Sequence, residues 1–491
     1  MRLVRKRRDA AGLVPAASQN LAICWGGYAS ATILFALALA VLSKDFGPAV
    51  EMAERPVLAL VGVLIFAGTG FAVLLPTLIR RSERVPAADT GMLFLIVVGS
   101  GVIARLVLFA SEPMLENDFQ RYLWDGGVTA RGHNPYALSP LKVIQDGPGG
   151  VLGDLASEAR DPLSKIGHKS LTTIYPPVAQ GAFAVAHLIT PWSLNAWRGV
   201  LLACDVATLL LLITLLDATA RSRLWAARYW LNPVVLKEAF NSAHMEPVLL
   251  PLVLLSVYLG WNKRHALGTI ALAFATAVKL WPILLLPVLW RPLLFEYRNL
   301  AFLSVVFGLL TALWLFPMLM SAPIETSGLA AYAESWKTNS ALYPMLEESV
   351  AAVLLSIGAS VVDAAVVCRA LIATVLVGIA VHLARRPWSS LGDLLQRIGT
   401  IIAVLVLLSP AQYPWYTLWY APFLAFLPSR AFLVLTATIP LYYSSFYFAA
   451  LDVPEVFTST VVWVIWLPVW LVAVFEIVTS RRPRPLVLQS G

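Results

Sequence analysis

Residues 57–79 read VLALVGVLIFAGTGFAVLLPTLI, without one charged side chain. A helix needs about 20 apolar residues to cross about 30 Å of hydrocarbon, so this run is long enough to span a bilayer. Comparable runs lie at Trp25 to Leu42, Met92 to Phe109, Trp197 to Leu216, Leu300 to Met320, Ala364 to Leu383, Ile398 to Leu408 and Val456 to Val478. Shorter, proline-broken pieces fill 176–190, 224–240, 248–260, 267–289, 413–427 and 431–448. Proline removes a backbone donor, and inside a membrane the freed groups must find partners in neighbouring helices. The run from Val350 to Ile357 is too short to cross alone. These runs predict an all-α polytopic membrane protein, a bundle of about 12 to 14 transmembrane helices. Residues 1–491 form one integral membrane domain on this reading.

The composition excludes several classes. Of 491 residues, 59% are hydrophobic and 13% charged, where a soluble domain carries about 25% charged residues. A soluble fold has nowhere to put that much apolar surface, which sets aside a soluble enzyme, a disordered chain and a nucleic-acid binder. The net charge of +8, from 36 Lys and Arg against 28 Asp and Glu, reads as cytoplasmic loop charge. Cys24, Cys204 and Cys368 lie far apart inside apolar runs. That is neither a disulfide framework nor a metal spacing, and they read as small packing residues.

Charge also orients the chain. The opening MRLVRKRR is well separated from the first apolar run, which predicts a retained first helix and a cytoplasmic segment 1–22. Arg80, Arg81 and Arg84, then Arg385, Arg386 and Arg397, and finally Arg481, Arg482 and Arg484 mark further cytoplasmic turns, with a cytoplasmic tail at 479–491. Counting helices places 111–173 and 321–347 outside. Strict alternation then puts Arg221, Arg223 and Arg228 outside too, against the charge rule, a conflict that one re-entrant helix between Pro176 and Phe240 would resolve. No internal repeat is visible, which weakens an inverted-repeat transporter reading.

The longest hydrophilic stretch, Ser111 to Thr173, includes ENDFQRYLWDGG at 116–127 and HNPY at 133–136. If 118–127 is helical, Asp118, Tyr122 and Asp125 share one face, and Leu115, Phe119 and Leu123 form an apolar stripe. Such a helix lies flat on the outer surface, its carboxylates toward water, until Gly126, Gly127 and Gly132 break it. Those acids are either solvated charges on an interfacial helix or a general base that takes a proton from an acceptor hydroxyl. Arg121 and Arg131 offer guanidinium donors that match phosphate oxygens. A base beside phosphate-binding cations at a membrane surface suits sugar transfer from a lipid phosphate, whereas proton-coupled transport wants acids within the spans. No His, Asp and Glu spacing makes a metal site.

These residues resemble the first outer loop of GT-C glycosyltransferases, polytopic enzymes that use polyprenyl- or dolichyl-phosphate sugars. The chain is similar to bacterial polyprenol-phosphate-mannose-dependent mannosyltransferases and, more distantly, to the catalytic subunit of GPI mannosyltransferase I. Glu116-x-Asp118, Asn134-Pro135-Tyr136 and Tyr175-Pro176-Pro177 carry the resemblance, with Glu116 standing where relatives have a first Asp. Trp230-Leu-Asn-Pro-Val, Lys237-Glu238 and Asn241-Ser-Ala-His244-Met-Glu246 resemble a second stretch, in which relatives more often carry Asp at the place of Glu246. Lys279-Leu-Trp-Pro282 lies in an apolar run. A buried Lys costs about 2.5–3.5 kcal/mol on insertion scales unless paired, so Lys279 asks for Glu246 or a donor phosphate. Leu329-Ala-Ala-Tyr332 with Trp336 and Asn339 resembles a later outer loop.

Plainer readings stand beside these. Lys237 with Glu238 serves equally well as an interfacial anchor. His244 alone is a satisfied interfacial residue; beside Glu246 in a cleft it hydrogen-bonds a sugar hydroxyl. The aromatic cluster from Pro410 to Tyr420 reads mainly as an aromatic belt, and otherwise as a surface for sugar or prenyl tail.

The resemblance implies an inverting glycosyltransferase of the bacterial inner membrane, with its active site on the extracytoplasmic side. It moves a hexose, mannose first, from a polyprenyl-phosphate donor to a hydroxyl of a lipid-linked or envelope glycan. Asp118 is the base with Glu116 beside it. Arg121, Tyr122, Asp125, Asn134, Tyr136, Tyr175, His244, Glu246, Lys279, Trp336 and Asn339 bind substrate. No cofactor beyond the donor is implied, and a metal is not obligatory because neutralised polyprenyl phosphate is a good leaving group. The partners are the bilayer, the donor and a glycan or glycolipid acceptor, with no nucleic acid. The rival is a carrier or flippase for a lipid-linked glycan, kept open by Lys237, Glu238, Glu246 and Lys279.

Overall fold

The computed structural model describes residues 2–47, 49–84, 87–321, 326–360 and 364–480. The side chains of the basic N-terminus, part of the 321–347 loop, and Arg481, Arg482 and Arg484 lie outside the described residues. The protein is all-α and polytopic. Among the described residues nine helices are long and apolar enough to cross a membrane: Gln19–Phe46, Val57–Ser82, Thr90–Leu108, Leu194–Ala218, Tyr297–Ser321, Ala364–Ala384, Leu391–Leu408, Arg430–Ala450 and Pro454–Thr479. Pro177–Ile189, Glu246–Trp261 and His265–Thr276 are shorter apolar helices. Proline and polar residues account for the shortfall from a dozen or more full spans. Residues 224–240 break at Asn232-Pro233 and end in a π-helical stretch, Leu236–Asn241, while 413–427 forms two 3₁₀ helices, Pro414–Trp419 and Ala421–Ala425.

Apolar side chains cover the outside of the bundle as well as filling its core. Along Tyr297–Ser321, Phe302, Val305, Leu309, Leu313 and Phe316 are exposed at three- and four-residue intervals, a stripe suited to lipid. Polar groups turn inward. Arg105 Nε lies 2.5 Å from Asp205 Oδ2 with neither side chain exposed, and Tyr229 donates to the same carboxylate. The Arg105 guanidinium also donates to the Trp230 carbonyl at 2.8 Å and sits 3.5 Å from the Trp230 ring. Charges within hydrocarbon persist through pairing of this kind.

The two ends of the bundle are distinguishable. Trp225 Nε1 donates to Glu83 Oε1 at 2.7 Å, and Arg221 and Arg223 wall a cavity with Ser82 and Glu83. The Glu112 amide donates to Ser43 Oγ at 3.0 Å, at the other end of Gln19–Phe46 from the Trp25–Ser82 contact. The chain therefore crosses twice between Thr90 and Ala218. Pro177–Ile189, with 13 residues and hence about 20 Å of length at 1.5 Å per residue, does not cross. That places Arg221 and Arg223 at the same end as Arg80 and Arg81 and removes the conflict with the charge rule.

Ser111 to Thr173 is a folded unit. Helices Asp118–Ala130, Pro140–Asp146, Gly153–Glu158 and Arg160–Lys165 enclose a small core that includes Trp124, Val143, Leu155 and Leu163. The first of these helices does not leave both its carboxylates to water: Asp118 keeps 39% exposure and Asp125 is buried. It packs on Pro177–Ile189, and Tyr122, Leu123, Trp124 and Asp125 are all buried. The glycines expected to break it instead let it dock. A Cβ on Gly126 would stand 2.5 Å from the Phe183 carbonyl oxygen, and one on Gly127 2.3 Å from the Trp192 ring.

Candidate active site

Three polar holdfasts fix the approach to the Asp118–Ala130 helix. Arg198 donates to the Phe109 carbonyl at 3.2 Å and to the Asn241 carbonyl at 3.1 Å. Asn241 Nδ2 donates to the Glu112 carbonyl at 2.7 Å, and its Oδ1 accepts from the Met114 amide at 3.4 Å. Leu115 then takes a left-handed backbone conformation, φ 66°, and the chain turns into the helix at Asp118. A carboxylate in the first helical turn faces unpaired backbone N–H groups, an orientation that favours its charged form.

Asp118 opens onto a cavity of about 500 Å³, within the roughly 300–1,000 Å³ usual for small-molecule sites. Its charged lining is Glu116, Asp118, Arg121, Glu246 and Lys279, with His168 among the other polar groups. Opposite the loop helix, Lys279 Nζ lies 2.5 Å from Glu246 Oε1. The same ammonium sits 4.5 Å from the Tyr416 ring and 4.9 Å from the Trp419 ring. Lys279 thus has a counter-ion on one side and two aromatic faces on the other, and 19% of its side chain stays exposed.

The electrostatics set the acids apart. Asp118 keeps 39% exposure where it lines the cavity. Desolvation by the surrounding protein, with Glu246 adding to it, pushes its carboxyl up to about 6 against the pull of Lys279 and Arg121. Burial and the Asp118 charge drive Glu116 up as well, and Glu116 Oε1 is buried without a hydrogen-bond partner. Among the described residues no three His, Cys, Asp or Glu side chains converge as a metal-holding group.

Residues 20–294 match the family model described as "Alpha-(1->6)-mannopyranosyltransferase, N-terminal domain". The chain belongs to this family. Neither a curated protein nor a solved structure matches it. The protein is thus a membrane mannosyltransferase by family, a glycosyltransferase of GT-C type.

The fold of this mannosyltransferase brings part of the sequence-derived set together. Glu116, Asp118, Arg121, Tyr122, Tyr175, Glu246, Lys279 and Trp336 line the cavity. Arg121 Nη2 donates to the His168 carbonyl at 3.2 Å and the Leu171 carbonyl at 3.1 Å, which holds the guanidinium at the rim. Tyr122 stacks on Phe183 at 4.7 Å and meets Tyr175 edge-on at 5.0 Å.

Asp125, Asn134, Tyr136 and Asn339 do not line the cavity. Asp125, 1% exposed, accepts from Gln180 Nε2 at 3.2 Å. Asn134 spans from Ser321 Oγ, 2.7 Å, to the Tyr136 amide, 3.0 Å. Tyr136 donates to the Tyr175 carbonyl at 2.8 Å. Asn339 donates to the Gln412 carbonyl at 2.8 Å while its own carbonyl accepts from Trp466 Nε1 at 2.6 Å. Arg131 pairs with Glu158 at 2.7 Å on the surface, away from the cavity.

Sequence reading underrated the aromatic cluster. Tyr413, Trp415, Tyr416 and Trp419 are not an outward belt but cavity lining, with Tyr413 stacked on Trp415 and Tyr416 on Trp419, each at 4.3 Å. The signal was present in the spacing. Pro414–Trp419 is a 3₁₀ helix, and three residues per turn align 416 with 419. Tyr332, read only as part of a loop motif, bonds Tyr416 hydroxyl to hydroxyl at 2.8 Å and closes this wall.

Proposed function

We propose that this chain moves a mannosyl group from a polyprenyl-phosphate donor to a glycan hydroxyl, with inversion at the anomeric carbon. The observation that carries the reading is one cavity holding a partly exposed carboxylate, Asp118, and a cation, Lys279, against a wall of stacked aromatics. Asp118 accepts the proton of the acceptor hydroxyl. The freed oxygen attacks the anomeric carbon, and the bond from that carbon to the phosphate oxygen breaks with its electron pair on the phosphate. Arg121 and Lys279 meet the charge that develops there. Aromatic faces such as Tyr413 and Trp415 suit the apolar faces of a sugar ring, and Glu116 lies beside the base to engage the acceptor. The family's α-(1->6) linkage makes a primary 6-hydroxyl of a hexose the acceptor group of choice.

The arginine-rich end, with Arg80, Arg81, Arg221 and Arg223, takes the cytoplasmic side by the charge rule, which leaves the cavity facing the extracytoplasmic leaflet of a bacterial inner membrane. A carrier needs charges spread along a path between two faces, whereas this cavity collects its charges at one end. The test feeds purified protein in lipid nanodiscs radiolabelled polyprenyl-phosphate mannose, glucose or arabinose with octyl α-mannoside. Transfer from the mannose donor is expected. Absence of transfer from all three donors, with donor bound, would overturn the reading in favour of the carrier.

A further inference from the structure

His244 does not line the cavity, and its side chain is fully buried. It stacks on Trp415, ring centroids 3.8 Å apart and planes 20° off parallel. Nδ1 lies 3.7 Å from Asp118 Oδ2, and Nε2 lies 3.8 Å from Glu238 Oε2. Among the described residues neither ring nitrogen has a hydrogen-bond partner at these distances, although both are buried. Catalytic hydrogen bonds are often long outside the substrate complex, and an imidazole held edge-on between two carboxylates just beyond bonding range has that geometry. Its backbone is held for that purpose. Ala243 adopts φ 59°, an uncommon conformation for a residue with a side chain, and Trp197 Nε1 locks its carbonyl at 2.8 Å.

We propose that His244 and Glu238 are positioning residues that aim Asp118 and hold it ionised, an inference that rests on Asp118 being the base. The tautomer follows from the donors available. A neutral imidazole has one N–H and one lone pair. An ionised Asp118 accepts only, so Nδ1 carries the hydrogen and Nε2 accepts. Glu238 must then be the protonated carboxyl, donating from Oε2. The Tyr443 hydroxyl lies 2.7 Å from Glu238 Oε1, the oxygen it donates to in this arrangement, and 2.9 Å from Oε2, and Lys237 Nζ donates to Ser242 Oγ at 2.5 Å and to Tyr443 at 3.2 Å. The charged and titratable groups facing this array are Glu116, Arg121, Lys237, Glu246 and Lys279, with Tyr122, Tyr175, Tyr413, Tyr442 and Tyr443.

The experiment compares His244→Ala, Glu238→Gln, Glu238→Ala and Asp118→Asn with the parent protein in nanodiscs. Transfer of radiolabelled mannose from polyprenyl-phosphate mannose to octyl α-mannoside is followed across pH 5–9, with donor KM and kcat separated. His244→Ala is expected to lower kcat roughly tenfold to hundredfold with donor KM within about threefold. Its acidic limb moves to higher pH, because Asp118 loses the donor that favours its ionised form. Glu238→Gln retains an N–H for Nε2 and rescues most of the rate that Glu238→Ala loses, which keeps the test alive even where His244→Ala fails to fold. A raised KM with intact kcat, an unmoved acidic limb, or Glu238→Gln as damaging as Glu238→Ala would overturn the proposal. Asp118→Asn separates the two readings: full activity there removes the base itself, whereas an inactive Asp118→Asn beside an unaffected His244→Ala removes only the positioning role.

Discussion

Lys279 Nζ stands 2.5 Å from Glu246 Oε1, and Glu246 is fully buried while its other oxygen has no hydrogen-bond partner. The pair joins the start of Glu246–Trp261 to the turn just after the next helix, His265–Thr276, at the wall opposite Asp118. Such an ion pair is weak evidence for stability, because desolvation offsets much of its attraction. Its place in the cavity gives it a functional reading instead, as a cation held ready for an anionic donor.

Breaking that pair from one side leaves a buried charge alone, at a cost of about 3–5 kcal/mol, less where water reaches the site. Lys279→Gln is therefore expected to lower the melting temperature in detergent and to raise donor KM. The double variant Lys279→Met with Glu246→Leu is expected to recover the melting temperature but not the transfer rate. Recovery of both would show that the pair serves stability alone.

Asp118→Asn keeps shape and removes the base. Expected is a drop in kcat of about a hundredfold to ten-thousandfold, with donor affinity little changed. Radiolabel transfer under saturating donor, beside an equilibrium donor-binding measurement, checks both halves.

The pH profile follows from the same group. The Asp118 carboxyl is pushed up to about 6, so it is ionised and able to accept a proton above that value. Below it the acid form accumulates, and the rate is expected to fall tenfold per pH unit. Binding of an anionic donor moves the limb further up. A rate that is flat from pH 7 down to 5 would contradict the assignment.

Gly126 tests how the loop helix is docked. A Cβ there would meet the Phe183 backbone carbonyl at 2.5 Å, and backbone cannot step aside as a side chain can. Gly126→Ala is expected to cost about 1–3 kcal/mol of stability through overpacking and to lower kcat, although the residue touches no part of the cavity. A melting curve with a rate measurement on the folded fraction separates the two effects.

The chain reads plainly where one physical rule dominates. An uncharged run such as 57–79 has a single stable environment, so the spans are legible from length and hydropathy. Asp118, Glu116 and Lys279 stood out because charge beside apolar sequence is expensive, and the family match over 20–294 accords with their motifs. The amphipathic pattern of 118–127 was legible too, but its meaning was not. Periodicity shows that a helix has two faces without showing what covers them, and here protein covers most of both and leaves Asp118 open to the cavity.

What belonged to the tertiary structure alone is adjacency. Sequence spacing sets neighbours within one helix, and the cost of a buried Lys named Glu246 as one of two partners for Lys279; it does not bring Trp415 to His244, or His244 to a point between Asp118 and Glu238. Nor did it show that Asn134, Tyr136 and Asn339 spend their hydrogen bonds on backbone and side-chain partners. Those distances follow from how broken helices, 3₁₀ turns and a half-length helix pack once the lipid-facing stripes have been satisfied. Hydrophobicity decides that the chain enters the membrane, and only close packing decides which polar groups meet inside it.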